Sequence, residues 1–388
     1  MVILSLFWVI LQLLIGFHLI FPVLLLIIKA LAGSNKNKQQ LPVLPDYAVI
    51  VTAYEQTDQL PEVVDSILAM DYPDYLIYVV ADNCDISNLH FDSDKVILLR
   101  PEQVLAGNVR SHFYAIRNFV RPHSHLTIID SDNLVEKDYL SVLNDYFKQG
   151  YQAVQGVRKA KNTDTMLAQL DAARDIYYHY YDGKMLFETG SSATLAGSGM
   201  AFTTSLYREC LEKLDVSGAG FDKVLQHAIV SRGHWIAFAE EAVVYDEKTA
   251  GSEQLVNQRA RWINTWFKYF SLGFGLSWAG LTRLDWNRFL FGIVLLRPPL
   301  FIFLALSVLM MLINLLLNPL VSLAWFAALL IFVAGFFLAL LNSETDPKIY
   351  RSLKRIPQFM YLQMVSLLKA KRANKISVAT RHNVKKVI

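Results

Sequence analysis

The chain has 388 residues, is 54% hydrophobic, and has a formal net charge of +3 from 37 Lys and Arg against 34 Asp and Glu. This near balance of charges gives no general attraction to nucleic acid, so we expect no nucleic-acid partner. The two cysteines, Cys84 and Cys210, have no metal-ligand spacing and fit a reducing compartment.

Residues 1–32 are predicted to form a transmembrane helix. Residues 2–32 are almost uninterrupted apolar sequence, which is longer than the ~30 Å hydrocarbon core of a bilayer requires. A cleaved signal peptide is the alternative, but no basic segment precedes the apolar stretch and the stretch is too long. We therefore expect a retained membrane anchor.

Residues 33–270 are predicted to form an α/β domain. After a linker that contains Pro42 and Pro45, strand-like and helix-like segments alternate. The predicted strands cover residues 47–52, 76–81, 95–99 and 126–129, and the predicted helices cover residues 60–70, 109–120 and 138–149. Such alternation indicates a largely parallel sheet, whose ligands bind beyond the carboxyl ends of the strands.

Carboxylates follow three of the four predicted strands, in the segments Ala53-Tyr54-Glu55, Asp82-Asn83 and Asp130-Ser131-Asp132. Residues two apart in an extended segment point to the same side, so Asp130 and Asp132 can converge on one target. A divalent cation that carries a diphosphate would suit both carboxylates. The alternative is a solvated turn with an aspartate helix cap.

Two later segments contain residues whose role the sequence leaves open. Residues 190–202 are rich in small side chains, among them Gly197, Ser198 and Gly199. Such a segment allows the backbone to approach a ligand closely, but an ordinary loop has the same composition. Asp222 precedes a predicted helix and, taken alone, fits an N-cap.

Gln258, Arg261 and Trp262 lie in a predicted helix, where Gln258 and Arg261 share a face. An Arg and a Trp beside a sugar diphosphate would supply a phosphate clamp and a stacking platform. The alternative is a basic, aromatic helix face that meets the membrane.

Residues 300–341 are predicted to form two transmembrane helices. Residues 300–317 and 320–341 contain no charge and flank Asn318-Pro319, which is typical of a transmembrane hairpin. A buried hairpin of a soluble domain is the alternative. Residues 271–299 are predicted to form an interfacial helix region, and residues 342–388 an interfacial amphipathic helix with a basic tail. That last helix could instead pack on the globular domain.

Basic residues follow the first and last spans, at Lys36, Lys38, Lys348, Arg351, Lys354 and Arg355. The hairpin turn between the second and third spans contains no Lys or Arg. The positive-inside rule therefore predicts an integral protein of the cell (inner) membrane, with residues 33–290 and the tail in the cytoplasm.

The segments described above occur in a fixed order: the three strand-end segments, then Gly197-Ser-Gly-Met200, Asp222 and Gln258-Arg-Ala-Arg-Trp262. In this order they resemble the membrane-bound family 2 glycosyltransferases, which include cellulose, chitin and hyaluronan synthases. The resemblance covers residues 45–270. It implies a Rossmann-like GT-A fold, a nucleotide-diphosphate sugar donor with a UDP-sugar as the first expectation, Mg²⁺ or Mn²⁺ as cofactor, and transfer with inversion.

The resemblance also implies roles for individual residues. Asp130 and Asp132 would hold the metal, and Asp222 would be the catalytic base. The nucleotide sugar would be bound by Ala53, Tyr54, Glu55, Asp82, Asp130, Gln258, Arg261 and Trp262. The acceptor side would be formed by Gly197, Ser198, Gly199 and Trp262.

The expected acceptor is a growing polysaccharide or a lipid-linked acceptor, with membrane lipids as further partners. Phe221 stands where the family usually has Glu, and residues 105–110 replace its Lys-Gly segment. A catalytically inactive membrane scaffold or sugar-nucleotide sensor is therefore the alternative function. Three spans are fewer than polymer-secreting synthases have, so secretion would need an oligomer or an export partner.

Overall fold

The structure is a computed structural model that describes residues 2–32, 44–216 and 218–373. Lys36, Lys38, most of the predicted linker and the tail after residue 373 lie outside the described residues. The contribution of these residues to the predicted orientation therefore stays a prediction.

Eight strands form one sheet in the order β3-β2-β1-β4-β7-β6-β8-β5. Strands β1, β2, β3 and β4 pair in parallel, β7 pairs antiparallel with β4 and β6, β8 is parallel to β6, and β5 is antiparallel to β8. The predicted α/β fold is confirmed. The strands are β1 (Tyr47–Tyr54), β2 (Tyr75–Asp82), β3 (Val96–Leu99), β4 (His125–Asp130), β5 (Leu134–Val135), β6 (Ala153–Ala160), β7 (Met200–Thr203) and β8 (Ile236–Asp246).

The α-helices precede, connect and follow these strands. They are α1 (Val2–Ala32), α2 (Leu60–Leu68), α3 (Asn108–Arg117), α4 (Tyr139–Lys148), α5 (Met166–Tyr178), α6 (Leu186–Glu188), α7 (Thr204–Leu211), α8 (Phe221–Ser231), α9 (Ser252–Tyr269), α10 (Leu272–Arg283), α11 (Trp286–Leu296), α12 (Leu300–Leu317), α13 (Pro319–Leu341), α14 (Pro347–Ser352) and α15 (Ile356–Lys369). A π-helical segment, His179–Met185, joins α5 to α6.

Helices cover both faces of the sheet, as the side chains of β1 show, because they point alternately to the two faces. Tyr47, Val49 and Val51 pack with α2 and α4 on one face, whereas Ala48 and Ile50 pack with α3 on the other. The period of two in a strand sends successive side chains to opposite faces, and both faces are buried here. The core on the α3 side continues into apolar side chains of α1, so the N-terminal helix is part of the same packed unit.

The register of the parallel strands brings their carboxyl ends together at one rim of the sheet. Tyr54 of β1 is paired with Asp82 of β2, and Thr52 of β1 is paired with Asp130 of β4. The carboxylates that follow separate strands in the sequence are therefore neighbours in space.

Three helices of the described chain are long and apolar enough to cross a membrane, within Ser5–Leu31, Leu300–Leu317 and Pro319–Leu341. One polar contact joins all three, because Gln12 Oε1 accepts hydrogen bonds from Asn314 Nδ2 at 2.6 Å and Trp325 Nε1 at 2.9 Å. Such interhelical hydrogen bonds stabilise helix association in lipid. The chain is thus suited to membrane association, and its orientation remains a prediction.

The predicted amphipathic helix near residues 350–372 is broken into four short helical pieces. α14 leads through a 3₁₀ turn at Leu353–Arg355 into α15, whose first turn contains Pro357, and a second 3₁₀ turn follows. Proline is tolerated there because the first N–H groups of a helix have no intrahelical partner. Phe359 packs against Leu167 and Leu255 of the α/β domain, while Tyr361 and Leu368 are exposed. One face thus packs on the domain, and its opposite face is open.

Candidate active site

A cavity of about 630 Å³ lies at the carboxyl rim of the sheet and extends toward the start of α12. Its wall is formed by the ends of β1, β4 and β8, by α5 and α9, by the start of α8 and by the segment before α12. Eight of the residues predicted from the sequence line this one cavity: Tyr54, Asp130, Asp132, Gly197, Asp222, Gln258, Arg261 and Trp262.

Asp130 and Asp132 flank a tight turn that connects β4 to β5. The backbone N–H of Asn133 donates to the Asp130 carbonyl across 3.1 Å, and β5 begins one residue later. The alternative of an aspartate helix cap is therefore wrong. The backbone N–H of Asp130 donates to Ser198 Oγ at 3.1 Å, and this hydrogen bond fixes the turn. Asp130 and Asp132 both line the cavity.

The two carboxylates fit a hard divalent cation, which prefers oxygen ligands. Within the described part of the chain, no group of three or more His, Cys, Asp or Glu could hold a metal ion. Mg²⁺ usually takes only one or two carboxylates and completes its coordination with water and substrate phosphate oxygens. The pair therefore suits a cation that arrives with a diphosphate better than a closed structural metal site.

Asp82 does not line the cavity. It is 2% exposed, and its two carboxylate oxygens accept hydrogen bonds from the backbone N–H groups of Leu105 at 2.9 Å and Ala106 at 2.8 Å. Ala53 is likewise buried, and Glu55 accepts a hydrogen bond from Asn83 at 3.3 Å. In this structure Asp82 orders the loop at the rim, and the predicted nucleoside contacts of these residues stay predictions.

The small-residue segment contributes both a wall and a support. Gly197 lines the cavity with a φ of +91°, and a side chain there would meet no atom within 4 Å. Ser198 and Gly199 lie behind it, where Gln155 Nε2 donates to both of their carbonyl oxygens at 3.1 and 3.2 Å. The structure thus brings Gly197 to the cavity and places Ser198 and Gly199 behind it, next to the Asp130 turn. The acceptor-side role of these three residues stays a prediction.

Asp222 lies in the first turn of α8 and not at its cap. Gly220 is the N-cap residue with a φ of +97°, and the helix begins at Phe221. The N-cap interpretation of Asp222 is therefore wrong. The Asp222 side chain is mostly buried, lies 3.6 Å from Lys223 Nζ and lines the cavity.

The middle of α9 presents Gln258, Arg261 and Trp262 to the cavity. Gln258 Oε1 accepts a hydrogen bond from Thr249 Oγ1 at 3.2 Å. Burial lowers the pKa of the Arg261 guanidinium. Trp262 is 37% exposed, and the guanidinium carbons of Arg259 and Arg174 lie 4.0 and 4.5 Å from its ring centre.

A buried ion-pair network in the cavity wall was not predicted. Lys248 Nζ contacts Asp175 at 2.5 Å and Asp246 at 3.2 Å. Arg158 contacts the same two carboxylates at 3.6 and 3.1 Å. Burial works against the charge on Lys248, but its attraction to Asp175 and Asp246 outweighs burial and raises its pKa. Each charge in this set has an opposite charge as partner, which is what the burial of ions requires.

The network continues to α9 through a second set of pairs. Arg174 contacts Asp175 and lies 3.4 Å from Asp171, and Arg259 contacts Asp171 in turn. The signal for this cluster was in the sequence of α5, where Asp171, Arg174 and Asp175 recur at i, i+3 and i+4. That spacing predicts one charged helix face. The burial of this face involves Arg259 of α9, which lies 88 residues after Asp171 in the sequence.

Comparison with known proteins agrees with this geometry. The family described as glycosyltransferase-like family 2 has a sequence model that matches residues 45–265, more than half of the chain. No curated protein matches the sequence. The mannosyltransferase PcManGT from Pyrobaculum calidifontis, in complex with GDP-Man and Mn²⁺, has a TM-score of 0.57 at 13% identity over 93% of this chain and 96% of that chain.

TarS from S. aureus, in complex with UDP-GlcNAc, has a TM-score of 0.42 at 13% identity over 84% of this chain and 90% of that chain. The likeness to the mannosyltransferase establishes a shared fold. The match over residues 45–265 establishes the family. The chain therefore belongs to glycosyltransferase-like family 2, and it is a glycosyltransferase with a GT-A fold.

Proposed function

We propose that the chain transfers a sugar, with inversion, from a nucleotide-diphosphate sugar to a glycan or lipid-linked acceptor at the cytoplasmic face of a membrane. One observation carries this proposal. Asp130, Asp132, Asp222, Arg261 and Trp262 come from three separate parts of the chain and line one cavity.

The donor end of the cavity is the turn after β4. Asp130 and Asp132 would hold Mg²⁺ or Mn²⁺, and the bound cation would neutralise charge on the departing nucleoside diphosphate. The fixed N–H of Asp130 keeps the turn in one geometry before the donor arrives, so little reorganisation is needed. Arg261, already at the cavity wall, adds a guanidinium donor for the diphosphate.

Asp222 is the proposed general base. Its carboxylate would accept the proton of the acceptor hydroxyl as that oxygen attacks the anomeric carbon. A single carboxylate suffices because the leaving group is a diphosphate that needs no proton, unlike the leaving group of a glycoside hydrolase, which uses a second carboxyl as acid. Phe221 occupies the position of the usual family glutamate and is buried, so it supplies packing and no second acid.

Three features support the other parts of the proposal. The mannosyltransferase of the same fold was solved with GDP-Man and Mn²⁺, which supports a nucleotide-diphosphate donor and a divalent cation. The resemblance to polysaccharide synthases favours a UDP-sugar, so both nucleotide classes need testing. The basic residues after the last span, which include Lys348 and Arg351, support a cytoplasmic domain.

A donor screen tests the function directly. The full chain in detergent or native membranes is incubated with UDP- and GDP-sugars and Mn²⁺, and nucleoside diphosphate release is measured. We expect release from one donor class and an inverted anomeric centre in the product. Release from no donor would favour the scaffold or sensor, and a retained configuration would contradict the single-base mechanism. Product length on a gel separates processive polymerisation from single addition.

A further inference from the structure

The cavity has a second end with different chemistry from the donor end. There its wall is formed by Leu295 of α11, by Pro298 and Pro299, and by Leu300 and Phe301 in the first turn of α12. These residues are apolar, and they lead directly into a helix that is long and apolar enough to cross a membrane. An acceptor that enters here would come from the membrane side.

Cations and aromatic rings alternate along the wall toward that end. The guanidinium carbon of Arg174 lies 4.5 Å from the Trp262 ring centre and 5.6 Å from the Tyr178 ring centre. Arg297 also lies 5.6 Å from the Tyr178 ring, and Arg259 lies 4.0 Å from the Trp262 ring. All five side chains line the cavity. The row therefore connects α9 to the segment that precedes α12.

Two of these arginines have donor atoms that the protein leaves unused. Arg259 is 2% exposed and Arg297 is 6% exposed. One nitrogen of each contacts a carboxylate, at Asp171 and Asp182 respectively. Arg259 Nε and Nη1 and Arg297 Nη1 find no hydrogen-bond partner among the described residues. A buried donor without an acceptor is unfavourable, so an anion that accepts from these donors would be stabilised at this wall.

The electrostatic surroundings of Arg259 point the same way. Burial and the neighbouring Arg174 lower the pKa of Arg259 to about 10. The charge on Arg259 is therefore under-compensated by the protein, and an anionic ligand would correct the imbalance.

The geometry points to a binding site for the phosphate of a lipid-linked phosphate, held by Arg259 and Arg297, with the lipid chain along the apolar wall at the start of α12. This inference rests on the proposed function, because the lipid phosphate would be the carrier of the acceptor. Free phosphate would satisfy the guanidinium groups but would leave the apolar wall in contact with water. The donor diphosphate belongs to the other end, at Asp130 and Asp132.

The test measures binding of farnesyl phosphate to the purified full chain in detergent. Farnesol, which has the same chain without phosphate, and inorganic phosphate, which has no chain, are compared with it. Two variants remove the anion site. One is Arg259→Gln. The other combines Arg297→Gln with Asp182→Asn, so that the arginine and its carboxylate partner are removed together and no unpaired carboxylate remains. Arg288→Gln is the matched control, because Arg288 lies on α11 but does not line the cavity, and it donates to the Val230 and Ser231 carbonyls.

We expect farnesyl phosphate to bind at least about tenfold more tightly than farnesol or inorganic phosphate, and each site variant to lose about tenfold or more of that affinity. The Arg288→Gln protein should bind it as the unaltered chain does. Equal binding of inorganic phosphate would mean a free-phosphate site, and equal binding of farnesol would mean an apolar groove only. Either result overturns the inference, as does unchanged binding in both site variants.

A donor measurement on the same samples separates this inference from the proposed function. Stabilisation by a nucleotide sugar with Mn²⁺, followed as a thermal shift, reports the donor end and correct folding of each variant. If the donor binds but farnesyl phosphate binds no better than farnesol or inorganic phosphate, only the lipid-phosphate site is refuted. Absence of donor binding and of turnover in the unaltered chain would instead refute the proposed function.

Discussion

The backbone N–H of Asp130 donates a hydrogen bond to the hydroxyl of Ser198 across 3.1 Å. This contact connects the turn after β4 with a segment 68 residues later, and Ser198 is completely buried. A serine that looks like a possible acceptor contact in the sequence therefore fixes the backbone of a proposed metal ligand. Its role is to position Asp130.

Replacing Ser198 with alanine should weaken metal binding without touching a metal ligand. The substitution leaves the Asp130 N–H without its acceptor, which costs about 1–3 kcal/mol. We expect a lower thermal midpoint and a higher Mn²⁺ concentration for half-maximal turnover. Ser231→Ala is the control, because Ser231 is exposed and donates only to the Ala228 carbonyl of its own helix. Equal Mn²⁺ dependence in both variants would argue against the positioning role.

Asp132→Asn should act more strongly on the same property. The change removes one of two carboxylate charges at the turn, and we expect Mn²⁺ affinity, measured by electron paramagnetic resonance with nucleoside diphosphate present, to fall roughly tenfold or more. Chelation with EDTA should stop turnover of the unaltered enzyme, and added Mn²⁺ should restore it. The exposed Asp145→Asn, which loses a pair with Lys148, is the control. Turnover that resists EDTA would remove the metal from the proposal.

Asp222→Asn tests the proposed base. An amide cannot take the acceptor proton, so transfer should fall by about 10²–10⁴, while binding of the donor with Mn²⁺ should persist because the proposed metal ligands, Asp130 and Asp132, are unchanged. Asp215→Asn is a matched control, since Asp215 is an exposed aspartate that pairs with Arg110. If the Asp222→Asn enzyme still transfers sugar at the normal rate, another group is the base.

The first half of the fold could be predicted because its signals are local. An apolar run predicted residues 47–52, and β1 is Tyr47–Tyr54. The helix predicted for residues 109–120 ends at Arg117, because Asn118 leaves the helical conformation and serves as its C-cap. The exact last residue of a helix depends on one or two backbone dihedral angles, and the periodic pattern of apolar residues does not specify it.

The partners of the charged residues could not be predicted in the same way. The sequence places Asp82 at a strand end, but its acceptors are occupied by the N–H groups of Leu105 and Ala106, more than twenty residues later. Whether a carboxylate meets a ligand or a backbone loop is decided by how distant segments pack. The ion pairs of α5 with β6, with Lys248 after β8, and with α9 were missed for this reason.

The protein should lose stability as the pH falls from 6.5 toward 4. Burial lowers the pKa of His125, at the start of β4, to about 4. The unfolded chain binds a proton to this histidine below pH 6.5, whereas the folded chain does not until about pH 4. Folding is therefore penalised by up to about 3 kcal/mol as the pH falls across that window, and above pH 6.5 this penalty is absent.

Substitution of His125 by phenylalanine isolates this contribution. The variant keeps an aromatic ring against Phe147, whose ring centre lies 4.4 Å from that of His125, but it cannot titrate. We expect its thermal midpoint to fall less between pH 6.5 and 5 than that of the unaltered chain. Burial also lowers the pKa values of His112 and His179 to about 3, so some slope should persist. His90→Phe, at an exposed position, is the control. If the thermal midpoint of the His125→Phe protein falls with pH as steeply as that of the His90→Phe protein, His125 does not make this contribution.

Gly220→Ala should impair both stability and transfer, because Gly220 sets the start of the helix that carries Asp222. Its φ of +97° disfavours any side chain, and an added Cβ would lie 2.3 Å from Thr265 Cγ2 on α9. We expect a loss of about 2–4 kcal/mol in the free energy of unfolding from backbone strain and overpacking together, and a lower transfer rate among the molecules that remain folded. Gly150→Ala separates the two causes, because Gly150 has a φ of +86° but no atom within 4 Å of an added Cβ. That variant should show only the backbone part, about 1–2 kcal/mol, with normal transfer. Equal losses in both variants would mean that contact with α9 contributes nothing to the placement of Asp222.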